Sequence, residues 1–223
     1  MPGDDQSVLK LWLGDPRVLV ADDEPDVAAA HASLLRSCDC EPLVAPDGTD
    51  ALPLLAANDD IDAALLDVYM PQLGGLELAR QLRQAGSKMP ILLVTVGSLG
   101  SNRPLVNVAR RSGCGTAFKP LDKDDLCGFL KDVVEPSPHH RRCQLRRLAR
   151  RAHLPAGQID VLWYLLHGAA RDETAVLLGI SPSTVKVQRE RLHKALRAVG
   201  APSPERLRCM LMWERPPPFR LPL

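Results

Sequence analysis

Residues 17–23 read RVLVADD, a short apolar run closed by two carboxylates, and the same construction recurs down the first half of the chain. Ala63–Leu66 (AALL) leads into Asp67, Ile91–Val94 (ILLV) into Thr95, and Thr116–Phe118 (TAF) into Lys119-Pro120. Apolar runs of this length read as strands buried on both faces. Such runs at 17–21, 42–45, 62–66, 91–95 and 115–118 alternate with helical patterns near 25–37, 49–57, 75–85, 103–112 and 122–134. Five repeats of strand then helix predict an α/β fold, a doubly wound five-stranded parallel sheet. Each polar residue then lies at the carboxyl end of a strand, the edge where open parallel sheets hold their ligands. Pro53 puts the start of the helix near 49–57 at about Asp50, since an interior proline removes a donor.

The formal net charge of +1 conceals a polar chain of 223 residues. Residues 1–135 carry 12 Lys/Arg against 21 Asp/Glu, and residues 136–223 carry 16 against 6. An acidic half points to metal and phosphoryl chemistry, a basic half to a polyanionic partner. Six cysteines (Cys38, Cys40, Cys114, Cys127, Cys143, Cys209) show no zinc-like spacing, so reduced thiols in the cytoplasm are expected. A Cys38/Cys40 redox pair competes there with small buried hydrophobes. Asp4 and Asp5 stand where a signal peptide would be basic, and no apolar run approaches the ~20 residues of a membrane span.

From the aspartate pair to the Lys-Pro, the first half resembles the receiver domain of bacterial two-component response regulators, with a flavodoxin-like sheet. The Met70-Pro71 and Gly74-Gly75 that trail Asp67 belong to the same pattern. The resemblance implies that Asp67 accepts a phosphoryl group from a histidine kinase, assisted by Thr95 and Lys119. It also implies Mg²⁺ held by Asp22, Asp23, Asp67 and the backbone carbonyl of Tyr69, with a cis Lys119–Pro120 peptide. Two departures stand out. Thr116 occupies the position, three before the lysine, where such receivers carry Tyr or Phe. Val96 follows Thr95 where Ala is usual, and with bulky Tyr69 it should slow water's approach to an acyl phosphate.

In the second half, Pro136-Ser137-Pro138 precedes paired arginines at 141–142, 146–147 and 150–151, with Leu145, Leu148 and Ala152 at helical spacing. This predicts a basic linker helix whose arginines face either solvent or DNA phosphates. Four helices follow, near 156–167, 171–178, 182–198 and 203–212. Within Ile180–Leu196, Ser181 is a good cap, Pro182 suits the first helical position, and Val185, Leu192 and Leu196 form one apolar stripe. The segment resembles the helix-turn-helix of LuxR/NarL/FixJ-type regulators. The resemblance implies that Lys186, Val187 and Glu190 face base edges, that Ser183, Thr184 and Arg191 hold phosphates, and that the last helix is the dimer contact. Gln158, Ala170 and Gln188 depart from the usual acidic residue, cap and His.

The expected organisation is an N-terminal extension (1–16), a receiver (17–135), a basic linker helix (136–153), a small all-α four-helix helix-turn-helix domain (154–212) and a proline-rich tail (213–223). Val8, Leu9, Leu11, Trp12 and Leu13 are available to pack on the receiver. The expected function is a non-enzymatic, DNA-binding response regulator, dimeric when active, with a histidine kinase, double-stranded DNA and RNA polymerase as partners and no membrane. A phosphate-independent regulator and a helical protein-interaction switch are the alternatives.

Overall fold

A computed structural model describes residues 5–98, 102–135 and 137–211. The chain divides into two units, one of residues 15–144 and one that combines residues 5–14 with 145–211.

In the first unit, strands β1 (Arg17–Ala21), β2 (Glu41–Ala45), β3 (Ala63–Asp67), β4 (Ile91–Val96) and β5 (Gly115–Lys119) form a parallel sheet of order β2-β1-β3-β4-β5. The order reverses beside β1, the kind of switch point where such sheets bind ligands. Side chains alternate across the pleat. Leu19, Ala21, Ala64 and Leu66 enter one core, and Val18, Val20, Ala63 and Leu65 enter the other. Helices α3 (Gly48–Ala57), α4 (Gly75–Gln84) and α5 (Arg103–Arg111) cover the first face through Ala51, Leu78 and Ala109. Helices α2 (Pro25–Ser37) and α6 (Lys123–Phe129) cover the second through Leu35 and Leu126. A π-helical turn, Leu130–Val134, extends α6.

Pro53 does not set the start of α3. The helix begins at Gly48, where the Asp47 side chain accepts the Asp50 N–H at 2.9 Å, and Pro53 lies inside it. The carbonyl that loses its partner belongs to Thr49, which is exposed, so water can satisfy it.

Polar side chains secure the amino edge of the sheet. Arg83 donates to the carbonyls of Ser112, Ser87, Met89 and Gly113 at 2.8–3.2 Å, binding together the segments that enter β4 and β5. Arg17 reaches Asn58 and Asp60 at 3.1 and 2.7 Å, while Asp62 accepts its backbone N–H at 2.6 Å. The fully buried Asp62 also accepts His140 Nδ1–H at 2.6 Å, and His139 Nε2–H donates to the Ile61 carbonyl at 2.8 Å. These histidines open helix α7 (Pro138–Arg151), whose first half belongs to this unit and whose second half belongs to the other.

The second unit contains α1 (Asp5–Leu13), the end of α7, α8 (Ala156–Leu166), α9 (Arg171–Leu178), α10 (Pro182–Ala198) and α11 (Pro204–Leu211). Leu13, Leu148, Leu162, Tyr164, Leu192, Leu196 and Leu207 share its core. The N-terminal segment thus packs here, through Leu9, Trp12 and Leu13, and not on the sheet. Arg147 and Arg151 donate to the Leu13 and Leu11 carbonyls. They supply donors and positive charge at a helix C-terminus, so these two arginines are occupied within the unit. No helix among the described residues is long and apolar enough to cross a membrane. The tail at 213–223 lies outside the described residues.

Candidate functional site

The strand register brings the polar strand ends to one edge. Asp67 is level with Val94, Thr95 with Phe118, and Val96 with Lys119. Asp22 follows β1 and donates its N–H to the Ala45 carbonyl. Asp22, Asp23 and Asp67 each offer a carboxylate oxygen, and the three oxygens lie within 4.8 Å of one another. Asp22 and Asp67 are buried, whereas Asp23 is exposed. Lys119 Nζ lies 2.9 Å from Asp22 Oδ2, 3.0 Å from Asp67 Oδ2 and 3.8 Å from Glu24 Oε1. Burial pulls the lysine pKa down, but the hydrogen bonds and charges of Asp22 and Asp67 outweigh it, so the ammonium is held above its ordinary range. The Lys119–Pro120 peptide is cis.

Three carboxylates facing one ammonium leave an excess of negative charge in a partly desolvated pocket. A hard divalent cation with oxygen ligands suits that charge and donor set. The Thr95 hydroxyl fits the same chemistry: it is buried at the end of β4 and has no hydrogen-bond partner among the described residues. An unsatisfied buried hydroxyl is costly, and a ligand oxygen would relieve it.

The glycines after Asp67 are steric necessities. A Cβ on Gly75 would stand 2.2 Å from the Asp67 carbonyl oxygen, and one on Gly74 would stand 2.8 Å from that of Val68. Helix α4 therefore begins directly against the backbone that carries Asp67. Tyr69 donates its N–H to Asp67 Oδ1 at 3.4 Å. Tyr69 and Val96 are 68% and 69% exposed, two large residues on the rim.

Two neighbours were not singled out from the sequence. Glu24 directly follows the aspartate pair, so adjacency could have flagged it. His31 lies on α2, buried, with Nδ1 3.7 Å from Asp22 Oδ2. Burial pushes its pKa below the usual value although the Asp22 carboxylate opposes this. Only the helical turn of α2 brings it there.

In the second unit, α9 ends at Gly179, whose φ of +67° is the left-handed cap that glycine adopts freely. Ser181 Oγ accepts the Thr184 N–H at 3.0 Å and starts α10. Val185, Leu192 and Leu196 are buried, while Ser183, Thr184, Lys186, Val187, Glu190 and Arg191 are exposed. A groove of about 460 Å³ runs beside this helix, and five of its lining residues are basic: Arg171, Lys186, Arg189, Lys194 and Arg197. Arg171 comes from α9, a contribution that reading α10 alone misses. Ala170 has no capping side chain, but its N–H is accepted by Glu173 Oε2 at 3.3 Å, so half of a capping box survives. The Gln158 side-chain oxygen is buried without a partner among the described residues.

Comparison with known proteins adds an independent finding. The profile described as "Response regulator receiver domain" matches residues 18–131. The response regulator protein TmoT of Ectopseudomonas mendocina is 29% identical over 188 residues, covering 81% of this chain and 82% of its own. Response regulator MprA of Mycobacterium sp. (strain KMS) is 44% identical over 90 residues, 39% of this chain and 37% of its own. Among solved structures, response regulator StyR gives a TM-score of 0.49 at 23% identity over 89% of this chain and 98% of its own. Chemotaxis protein CheY4 of Vibrio cholerae gives 0.48 at 24% identity, over 53% of this chain and 98% of its own.

Proposed function

The chain belongs to the response regulator receiver family, and from that premise we propose that it is a DNA-binding regulator switched by phosphorylation of Asp67. The observation that carries the proposal is the convergence of three carboxylates, the Lys119 ammonium and an unpartnered Thr95 hydroxyl at one sheet edge. A carboxylate oxygen of Asp67 attacks phosphorus and an acyl phosphate forms as the leaving group departs. Lys119, released from part of its pairing with Asp67, follows the charge onto a phosphoryl oxygen. Thr95 donates its hydroxyl to another. Asp22, Asp23, Asp67 and the Tyr69 carbonyl would hold Mg²⁺, which when bound neutralises charge between carboxylates and phosphoryl oxygens. The protein's own contribution is positioning and electrostatic stabilisation. It acts on itself as a switch, with a histidine kinase as phosphoryl donor.

The output is assigned to the second unit. An alignment with TmoT of 188 residues is longer than the receiver match, so the likeness to a response regulator extends past the receiver. A capped helix with an apolar back and a basic front fits the major groove. Lys186, Val187 and Glu190 are assigned to base edges, and Ser183, Thr184 and Arg191 to phosphates. Arg171 and Arg197 extend the basic surface beside them. Helix α11 is assigned to the dimer contact of the active form, and RNA polymerase is the partner at a promoter.

Acetyl phosphate with Mg²⁺ should modify the wild-type protein and leave Asp67→Asn unmodified, read by intact mass. Lys186→Ala should weaken duplex binding, and affinity should fall steeply with added salt. Unchanged duplex binding in Lys186→Ala would favour a protein-interaction output. Thr116 supports a second reading, a phosphate-independent regulator, because no aromatic ring stands there to relay the pocket's state. Phosphorylation without any change in duplex affinity would select that reading.

A further inference from the structure

Helices α2 and α6 both start at the acidic pocket, α2 after Asp22-Asp23-Glu24 and α6 after Lys119-Pro120. They lie on the same face of the sheet, where Leu35 and Leu126 share one core. At the end of α2 remote from the pocket, Cys38 forms the helix cap, and its Sγ lies 3.0 Å from Sγ of Cys127 in α6. The two residues are 89 positions apart, so the fold makes this contact. The sulfurs are only about 1 Å farther apart than in a disulfide bond. Both thiols are half-buried, whereas Cys40, Cys114 and Cys143 are buried. Cys40, next in line as a partner for Cys38, is held inert: burial pushes its thiol up to about 12, and its Sγ lies 3.6 Å from the Cys38 carbonyl oxygen, placed to donate to it.

We propose that Cys38 and Cys127 are a redox modification site, closed by peroxide into a reversible disulfide that staples α2 to α6. One thiolate attacks a peroxide oxygen, the O–O bond breaks, and a sulfenic acid forms with loss of hydroxide, which is protonated to water. The second thiolate attacks the sulfenic sulfur, the S–O bond breaks, and a second water leaves. Two thiols lose two electrons in all, and one peroxide becomes two waters. Burial, reinforced by the hydrogen bond with Cys127, pushes the Cys38 thiol up; the thiolate is the attacking form, so closure accelerates with rising pH. An external dithiol reopens the bond by exchange. Because α6 leads from Lys119 through the Leu130–Val134 turn, the staple fixes the segment by which the chain leaves the pocket.

The full-length reduced protein treated with hydrogen peroxide, alkylated and mapped by mass spectrometry tests this. The expected result is a Cys38–Cys127 linked peptide and a fall in free thiols from six to four, reversed by dithiothreitol. Cys127→Ser should lose the cross-link, and Cys40→Ser should retain it. Wild-type mapping needs no variant and decides the matter alone. Six free thiols after exposure that fully oxidises a small-molecule thiol would overturn the proposal. Pairing of Cys38 with Cys40, or a dimer through Cys209 as the sole disulfide, would overturn it equally.

Discussion

Thr95→Val should move stability and reactivity in opposite directions. The substitution keeps the side chain's shape and replaces a buried hydroxyl that has no partner among the described residues. Leaving such a group unsatisfied costs ~1–3 kcal/mol, so its removal should stabilise the first unit by about 1 kcal/mol. In the phosphoryl-transfer step the same hydroxyl would donate to a charged oxygen, a bond worth ~1.5–3 kcal/mol. Its loss should slow modification by acetyl phosphate about tenfold to a hundredfold. The choice of probe matters, because Trp12 and Trp163 belong to the second unit and their fluorescence would follow the wrong transition. Native-state hydrogen exchange of β4 amides reports the right one, and ~1 kcal/mol should slow it about fivefold. Faster exchange in Thr95→Val, or wild-type phosphorylation, would refute the assignment of this hydroxyl to a phosphoryl oxygen.

Other outcomes follow from the same geometry. Val96→Ala opens one side of the rim and should hasten loss of phosphate from Asp67, by about fivefold for each ~1 kcal/mol of barrier removed, as followed by intact mass over time. Mg²⁺ at about 100 times its dissociation constant should stabilise the first unit by ~2.7 kcal/mol. Asp23→Asn should shrink that gain in a thermal melt, while an unchanged gain would remove Asp23 from the metal shell. His140→Ala leaves the fully buried Asp62 with the Arg17 N–H but without its histidine. Leaving a buried acceptor without one of its donors costs ~1–3 kcal/mol, and urea unfolding followed by exchange of β3 amides should show a loss in that range.

The sheet was legible because apolar runs of four or five residues ending in Asp, Thr or Lys carry both the strand and its polarity. The site followed directly, since parallel strands deliver their last residues to one edge. Pro53 misled because the one hydrogen bond it forfeits would have gone to the carbonyl of Thr49, which is exposed and open to water. The N-terminal segment was read as apolar, but its partners, Leu148 and Leu207 among others, lie far along the chain and leave no periodic signature. Arg147 and Arg151 looked like surface charge until the carbonyls they meet were known. His31 and Cys127 were invisible for the same reason: one side chain on a helix acquires meaning only from the strand or helix packed against it.

The amino edge of the sheet, pinned by Arg17 and Arg83, constrains how any message leaves the opposite rim. One guanidinium gathers four carbonyls beneath β4 and β5, and the other ties β1 to the approach of β3. The strands therefore form a keel. Tyr69 and Val96 stand exposed on the loops above it, so phosphorylation of Asp67 should reshape that rim and leave the floor unmoved.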